Sequence, residues 1–271
     1  MKIVLILARD SIRALLHQRL VTGLMLVSLI LTIFFSVIMS RTRENITNEF
    51  NYDDTQTNMP GVQKMSEADR KKMSEAMEKG ETAIQGFFYA ASSFGGNLVA
   101  LLIFSTAVTS EIRRGTIRLT LSKPVSRFQY LLGKYLGGLV VMAAYAIIAS
   151  LAVLVFSASS HVTLSPVMKY APWLMFCRQL MLGSVAMLLS LFMHPAIACV
   201  LAFIAGNGMC SENNPLYFLL PSYAPFNMFA QILQGSIMGG NDVIMLTLYA
   251  LDSVILMLLL AWWRFQSKEV C

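Results

Sequence analysis

The sequence predicts an all-α polytopic membrane protein with six transmembrane helices. Of its 271 residues, 56% are hydrophobic and only 13% are charged, whereas soluble domains carry about 25% charged residues. The mean hydropathy is +0.62, and so much apolar surface needs lipid as its solvent. The apolar residues are also gathered into long runs, as a hydrocarbon core about 30 Å thick requires.

The individual spans follow from runs of roughly 20 apolar residues. The fifth run is short, and the fourth and sixth each contain one charged residue; the runs are 20–40, 86–109, 132–157, 173–193, 196–209 and 243–263. His194-Pro195 interrupts an apolar stretch that is too long for a single crossing, and proline marks a break. We therefore expect two antiparallel helices joined by a tight turn at this dipeptide.

The N-terminal residues predict a helix on the membrane surface rather than a signal peptide. Only residues 3–8 are apolar before Arg9, which is shorter than a signal-peptide core, and no small-residue cleavage site follows. Arg9, Arg13 and His17 recur at helical spacing with apolar residues between them. Residues 1–19 are therefore predicted to form an amphipathic interfacial helix.

The segment between the first two spans, residues 41–84, is polar and is predicted to be an external loop. Residues 66–79 within it predict a short helix that Gly80 ends. Its support comes from two charge pairs at i,i+4 spacing, Glu67 with Lys71 and Glu75 with Lys79. This helix is either solvated or in contact with a partner.

The basic residues predict the orientation. An even number of spans places both termini on one side, where twelve Lys and Arg residues would lie, against eight on the other side. This excess favours cytoplasmic termini, although Arg41 and Arg43 count against it.

The segment between the second and third spans, residues 110–134, carries most of the functional information. An amphipathic helix is predicted to run to Pro124, which stops it, with one face formed by Ile112, Thr116 and Leu119. Ser126 and Gln129 then fit a capping box at the start of the next helix. The prediction is a short cytoplasmic helix held between two membrane helices.

This segment resembles the first cytoplasmic loop of ABC-2-type transporter permeases. That loop commonly reads Glu-x-x-x-Gly-Thr, then Leu-Leu-Ser-x-Pro-Val-Ser-Arg, then Gly-Lys. The chain corresponds at Glu111, Gly115-Thr116, the run from Leu121 to Arg127, and Gly133-Lys134. The rest of the chain is similar in architecture, so the resemblance implies one membrane domain over residues 1–271 in a bacterial inner membrane.

The resemblance implies that residues 110–131 are a coupling segment that docks on a cytoplasmic ABC ATPase. The contact residues that it implies are Glu111, Arg113, Arg114, Gly115, Thr116, Lys123, Pro124 and Arg127. Gly115 is expected to permit close approach. No Gly-x-x-x-x-Gly-Lys-Ser/Thr sequence occurs, so ATP and Mg²⁺ are expected on the partner, with no cofactor or catalytic site in this chain.

Residues 207–242 form an apolar segment broken by Pro215, Pro221 and Pro225. Such a segment suits an external re-entrant pair of short helices, which is tolerated at membrane depth only when protein shields it. An ordinary outer loop resting on the bilayer explains the residues equally well. The resembled family has a re-entrant element at its external gate.

Two charged residues lie inside predicted spans, away from the cytoplasmic edge where Lys134 begins the third span; they are Arg178 and Asp252. A charge at the bilayer centre costs about 2.5–3.5 kcal/mol on insertion scales, so such groups find a partner or water. Their distances from the starts of their spans predict a depth difference of about 6 Å. We expect them to pair, or to share a water-filled pocket; alternatively, Arg178 snorkels outward and Asp252 caps a kink.

Three classes of function are consistent with the sequence. The first is an export permease for an apolar or amphiphilic substrate, since the spans contain few polar residues. The second is a permease-like subunit that transmits ATPase motion to a periplasmic protein, as in metalloenzyme maturation or motility. The third, a membrane enzyme or channel, is disfavoured because His17, His161 and His194 fall in different loops.

The expected partners follow from the resemblance and the composition. They are cytoplasmic ABC ATPase subunits, a second permease copy or homologue in a dimer, membrane lipids and, under the second hypothesis, a periplasmic protein. Nucleic acid is not expected despite a net charge of +6, because the basic residues are segregated along the chain as membrane topology requires.

Overall fold

The computed structural model describes residues 2–17, 67–115, 125–160, 166–207, 221–233 and 238–267, with isolated helical residues between 23 and 41. These ranges contain helices and no strand. The α-helices are α1 (Lys2–His17), α2 (Glu67–Arg114), α3 (Arg127–Ser160), α4 (Ala171–Phe192), α5 (Pro195–Asn207), α6 (Met228–Leu233) and α7 (Gly240–Ser267). Two 3-10 turns, Pro166–Lys169 and Ala224–Phe226, precede α4 and α6.

Four helices in the described ranges are long and apolar enough to cross a membrane. They correspond to the second, third, fourth and sixth predicted spans and comprise Gln85–Arg113, Arg127–Ala152, Ala171–Phe192 and Gly240–Ser267. The fifth predicted span corresponds to a shorter apolar helix, Pro195–Ala205. The all-α membrane fold is therefore confirmed. A total of six stays a prediction, because most of residues 20–40 lie outside the described residues.

The predicted break at His194-Pro195 is confirmed. α4 ends at Phe192 and α5 begins at Pro195, and the backbone N–H of Ala196 donates to His194 Nδ1 at 3.3 Å. The Phe94 ring of α2 packs against the Phe203 ring of α5 with centroids 6.1 Å apart. Further along α2, Ser105 Oγ lies 3.0 Å from Sγ of Cys199, which precedes Phe203 in α5. α5 therefore runs antiparallel to α2.

The helix that contains the second span is longer than predicted. α2 spans 48 residues, Glu67–Arg114, or about 72 Å at 1.5 Å per residue. The predicted external helix and the second span are thus continuous, and the prediction that Gly80 ends a helix is wrong. A glycine inside a helix costs only about 1 kcal/mol relative to alanine, which continuous hydrogen bonding on both sides outweighs.

The bundle is built around α4. This helix packs against α2, α3, α5 and α7 and buries residues on all sides. Four of them are polar: Arg178, Gln179, Ser184 and Ser190. In contrast, α7 lies at the periphery. It buries one stripe at helical spacing, namely Ala250, Ser253, Met257, Ala261 and Phe265.

The N-terminal helix packs on the start of α3. A Cβ added at Gly133 would lie 2.7 Å from Leu7 Cβ, and one added at Gly137 would lie 2.6 Å from Ser11 Cβ. Small residues at this four-residue spacing let two helix backbones approach closely. Of the helix predicted at residues 1–19, Lys2–His17 is present and the other three residues lie outside the described part of the chain. Its location at the membrane surface stays a prediction.

Candidate functional site

The candidate site lies where α2 ends and α3 begins. α2 ends at Arg114, and Gly115 adopts a φ of 70°, a left-handed conformation that favours glycine and terminates helices. The N–H of Gly115 donates to the Ile112 carbonyl at 3.2 Å. The prediction of one helix running from Ile112 through Leu119 is therefore wrong, because the helix containing Ile112 stops at Gly115. Residues 116–124 lie outside the described residues.

The start of α3 has the predicted capping box. The N–H of Gln129 donates to Ser126 Oγ at 3.2 Å, and the N–H of Ser126 donates to Gln129 Oε1 at 3.2 Å. These reciprocal bonds satisfy backbone donors that the first turn of a helix leaves without partners. They fix the point at which α3 begins.

The end of α2 is joined to α3 through the Glu111 carboxylate. The Tyr130 hydroxyl donates to Glu111 Oε2 at 2.6 Å, and Lys134 Nζ forms an ion pair with Glu111 Oε1. Tyr130 is fully buried, and the Lys134 ammonium lies 5.7 Å from the centre of its ring. One carboxylate therefore holds two side chains of the neighbouring helix.

The Lys134–Glu111 pair is largely removed from water. The side chain of Lys134 is 7% exposed and that of Glu111 is 23% exposed. Burying a lone charge costs several kcal/mol, so each member requires the other. This mutual requirement fixes the separation between α2 and α3 at this end of the bundle.

The start of α3 is also joined to the end of α7. Arg127 Nη1 donates to the carbonyl oxygens of Phe265 at 2.9 Å and Gln266 at 2.8 Å. A cation at the C-terminus of a helix satisfies its free carbonyls and complements the helix dipole. The Phe265 ring in turn stacks on Tyr130 with centroids 5.9 Å apart.

Glu111, Arg127, Tyr130, Lys134 and Phe265 thus form one connected cluster, which we call the polar clamp. It links α2, α3 and α7 next to residues 116–124. Among the predicted contact residues, Glu111 and Arg127 belong to this cluster and have partners within the chain.

The other predicted contact residues are placed as follows. Arg113 is exposed. Arg114 is the last residue of α2. Gly115 is exposed, and nothing lies within 4 Å of a Cβ built on it. Its left-handed conformation accounts for the glycine within this chain, whereas close approach of a partner stays a prediction. Thr116, Lys123 and Pro124 lie outside the described residues.

Arg178 and Asp252 lie on parallel helices. Trp173 Nε1 donates to Thr247 Oγ1 at 2.9 Å, and further along the Arg264 guanidinium lies 4.8 Å from the Phe192 ring centre. Arg178 and Asp252 each follow a residue of this first contact by five positions. The predicted depth difference of about 6 Å stays a prediction.

The two charged residues occupy different environments. Arg178 is only 8% exposed and lies beside the Tyr89 hydroxyl of α2. Asp252 is exposed, on the face of α7 opposite its buried stripe. Their pairing stays a prediction.

The middle of the bundle contains a second group of polar residues, on α2 and α4. Ser92, Asn97 and Gln179 are each less than 5% exposed. Ser92 Oγ, Asn97 Oδ1 and both polar atoms of the Gln179 amide make no hydrogen bond within the described part of the chain. We call these three the mid-bundle polar residues.

The family comparison agrees with this architecture. The chain matches the family model described as ABC-2 family transporter protein over residues 6–270. It belongs to the ABC-2 transporter family. No curated protein matches the chain.

Membership in the ABC-2 family makes this chain the membrane permease component of an ABC transporter, and it implies association with an ABC ATPase subunit. The family motif of this permease contains Glu111, Arg127 and Lys134, but the sequence does not reveal the partner of each residue. The pairing of Glu111 with Lys134 depends on how α2 packs against α3. The acceptors of Arg127 are backbone carbonyls of α7, which have no signature in the sequence.

Proposed function

We propose that this permease couples ATP hydrolysis by a separate cytoplasmic ABC ATPase to export of an apolar or amphiphilic substrate across a bacterial inner membrane. The observation that supports this most is the polar clamp beside residues 116–124. It provides the mechanical connection that a docked motor requires. ATP and Mg²⁺ bind to the partner, and this chain contributes the docking segment and the membrane path.

The first step of the mechanism is docking by residues 110–131. Arg113 is exposed at the end of α2 and offers a cation to an acidic groove on the ATPase. Gly115 ends α2 there with its left-handed φ of 70°, so the helix stops at a defined point of the docking segment. Glu111 and Arg127 hold the two ends of the segment in place.

The second step is transmission of the motion. A displacement of residues 116–124 acts on α2 through Arg114 and on α3 through Ser126. The buried ion pair of Glu111 with Lys134 keeps these two helices together, and Arg127 carries the movement to the C-terminus of α7. Three membrane helices therefore respond as a unit.

The proposed orientation places both termini and residues 110–134 in the cytoplasm, with residues 41–84 outside. Single cysteines at Ser74 and Ser122 test it with a membrane-impermeant thiol reagent on intact cells, after the native cysteines have been replaced. Labelling of Ser74→Cys alone is expected. Labelling of Ser122→Cys alone would show that the orientation is reversed.

Co-purification with the ATPase tests the docking proposal. Arg113→Glu reverses an exposed charge at the proposed interface and is expected to reduce ATPase recovery at least fivefold. Glu111→Gln alters the polar clamp, so it should retain the ATPase but lose most of the ATP hydrolysis that the permease stimulates. The matched control is Arg13→Glu on α1, which reverses another exposed charge and should change neither quantity.

The proposal fails if Arg113→Glu recovers as much ATPase as the unaltered permease. It also fails if Glu111→Gln leaves stimulated hydrolysis intact, because the polar clamp would then have no part in coupling. The second family role considered from the sequence, action on a periplasmic protein, stays a prediction, as does assembly into a dimer.

A further inference from the structure

A groove of about 590 Å³ lies between α3 and α4 on the outside of the bundle. Its walls are Ala143, Ile147 and Leu154 of α3 and Pro172 and Phe176 of α4. Among the described residues, nothing closes it off from the surroundings of the bundle, and its lining is almost entirely apolar. Small-molecule sites have volumes of about 300–1,000 Å³, so the groove is of ligand size.

The groove has the length of one membrane leaflet. Ala143 and Leu154 are eleven residues apart on α3, which corresponds to about 16 Å at 1.5 Å per residue. One leaflet contributes half of a hydrocarbon core about 30 Å thick, or about 15 Å. An acyl chain aligned with the bilayer normal therefore fits along it.

One end of the groove has a positive charge and aromatic side chains. Lys169, the last residue of the 3-10 turn before α4, lines the groove and is exposed. Tyr170 and Trp173 follow at 37% and 50% exposure. Exposed tyrosine and tryptophan residues mark the headgroup level of a bilayer, so Lys169 lies where a lipid phosphate would be.

A small cavity adjoins the inner wall of the groove. It shares Ser150, Met168 and Pro172 with the groove and is also lined by Tyr89 and Ser92. Ser92 is 3% exposed, and its hydroxyl makes no hydrogen bond within the described residues. The groove thus leads from the lipid side towards a buried polar group of the bundle interior.

We propose that this groove binds an anionic phospholipid, with one acyl chain between α3 and α4 and the phosphate at Lys169. The apolar lining selects the acyl chain, and the Lys169 ammonium selects an anionic headgroup over a zwitterionic one. The lipid belongs to the leaflet on the N-terminal side of α4, which is the outer leaflet in the proposed orientation. Transport of such a lipid as the amphiphilic substrate rests on the proposed function. Binding of the lipid in the groove does not.

Fluorescence of Trp173, which lines the groove, reports on its occupancy. The variant Trp262→Phe/Trp263→Phe leaves Trp173 as the single tryptophan of the chain. In vesicles without ATPase or ATP, phosphatidylglycerol brominated on its acyl chains should quench Trp173 at a lower mole fraction than brominated phosphatidylcholine. The expected preference is about fivefold, which corresponds to one lysine near an anionic headgroup.

Variants of the groove separate specific binding from general contact with lipid. Lys169→Glu should abolish the preference, and Lys169→Arg should retain it. Ala143→Phe fills the groove and should reduce quenching by both lipids, whereas Ala144→Phe places the same ring at the next, exposed position and should not. If Ala143→Phe does not fold, Ser150→Phe replaces it, because Ser150 lines the same groove two turns further along α3.

Equal quenching by the two lipids would overturn the proposal, and so would a preference that survives Lys169→Glu. Unchanged quenching in the folded groove-filling variants would also overturn it, because the lipid would then lie elsewhere. None of these results depends on ATPase binding. Loss of ATPase co-purification with intact lipid preference would count against the proposed function alone.

Discussion

The polar clamp and the mid-bundle polar residues both include residues of α2, but they differ in hydrogen bonding. In the polar clamp, Glu111 accepts from Tyr130 and Lys134, and Arg127 binds two carbonyls. In the middle of the bundle, polar atoms of Asn97 and Gln179 make no hydrogen bond within the described residues. A buried polar group without a partner costs about 1–3 kcal/mol.

This difference indicates different mechanical roles. A fully bonded polar network rigidifies the helices that it joins, so the end of the bundle beside residues 116–124 should move as one body. Polar groups without partners are stabilised by any rearrangement that supplies water or a polar neighbour. The middle of α2 and α4 is therefore where a change of conformation costs least.

The largest effect on stability is expected when the ion pair of the polar clamp is broken. Lys134→Met leaves the Glu111 carboxylate buried without its counter-charge, which should cost about 3 kcal/mol. Unfolding of the detergent-solubilised permease measures this. The double variant Glu111→Leu/Lys134→Met removes both charges and should recover all but about 1 kcal/mol. If Lys134→Met is as stable as the unaltered chain, the ion pair does not stabilise the polar clamp and the two regions do not differ.

An intermediate effect is expected where α1 packs on α3. Gly137→Leu places a side chain where a Cβ alone would already lie 2.6 Å from Ser11 Cβ. The expected cost is about 1–3 kcal/mol, because overpacking forces the helices apart. The control is Val140→Leu, which adds one carbon at an exposed position of the same helix. Equal unfolding curves for the two variants would show that α1 does not pack against Gly137.

The smallest effect is expected in the middle of the bundle. Gln179→Met removes polar atoms that make no hydrogen bond within the described residues and keeps a similar volume. Stability should therefore change by less than about 1 kcal/mol, and it can rise. A loss as large as that of Lys134→Met would show that Gln179 has a strong partner and that the two regions do not differ.

The sequence predicted the elements whose signals are local. The apolar runs located four spans, the His194-Pro195 break was confirmed, and Ser126 with Gln129 formed the expected cap. Local signals failed at Gly80. A glycine favours the end of a helix, but here the hydrogen bonding of the continuous α2 outweighs that preference. Local signals also failed at Gly115, where the left-handed conformation that ends α2 outweighed the apolar spacing of Ile112, Thr116 and Leu119.

The candidate site was predictable in position but not in its bonding. The family motif located Glu111, Arg127 and Lys134, although which helix supplies each partner depends on packing. The sequence likewise did not show whether Arg178 lies on a buried face of α4, or whether Asp252 lies on a buried face of α7. Arg178 is buried beside Tyr89, whereas Asp252 is exposed.

Cross-linking within the assembled transporter tests most directly whether the polar clamp moves as one rigid body during coupling. In a variant without native cysteines, Phe128→Cys/Trp262→Cys joins α3 to α7 at a ring contact of 5.6 Å. Phe94→Cys/Phe203→Cys joins α2 to α5 in the middle of the bundle at a ring contact of 6.1 Å. ATP hydrolysis by the co-purified ATPase is measured before and after treatment with a bifunctional thiol reagent. Cross-linking of 128 to 262 should leave permease-stimulated hydrolysis unchanged, whereas cross-linking of 94 to 203 should abolish most of it. If cross-linking of 128 to 262 abolishes stimulation and cross-linking of 94 to 203 does not, the polar clamp does not move as one rigid body.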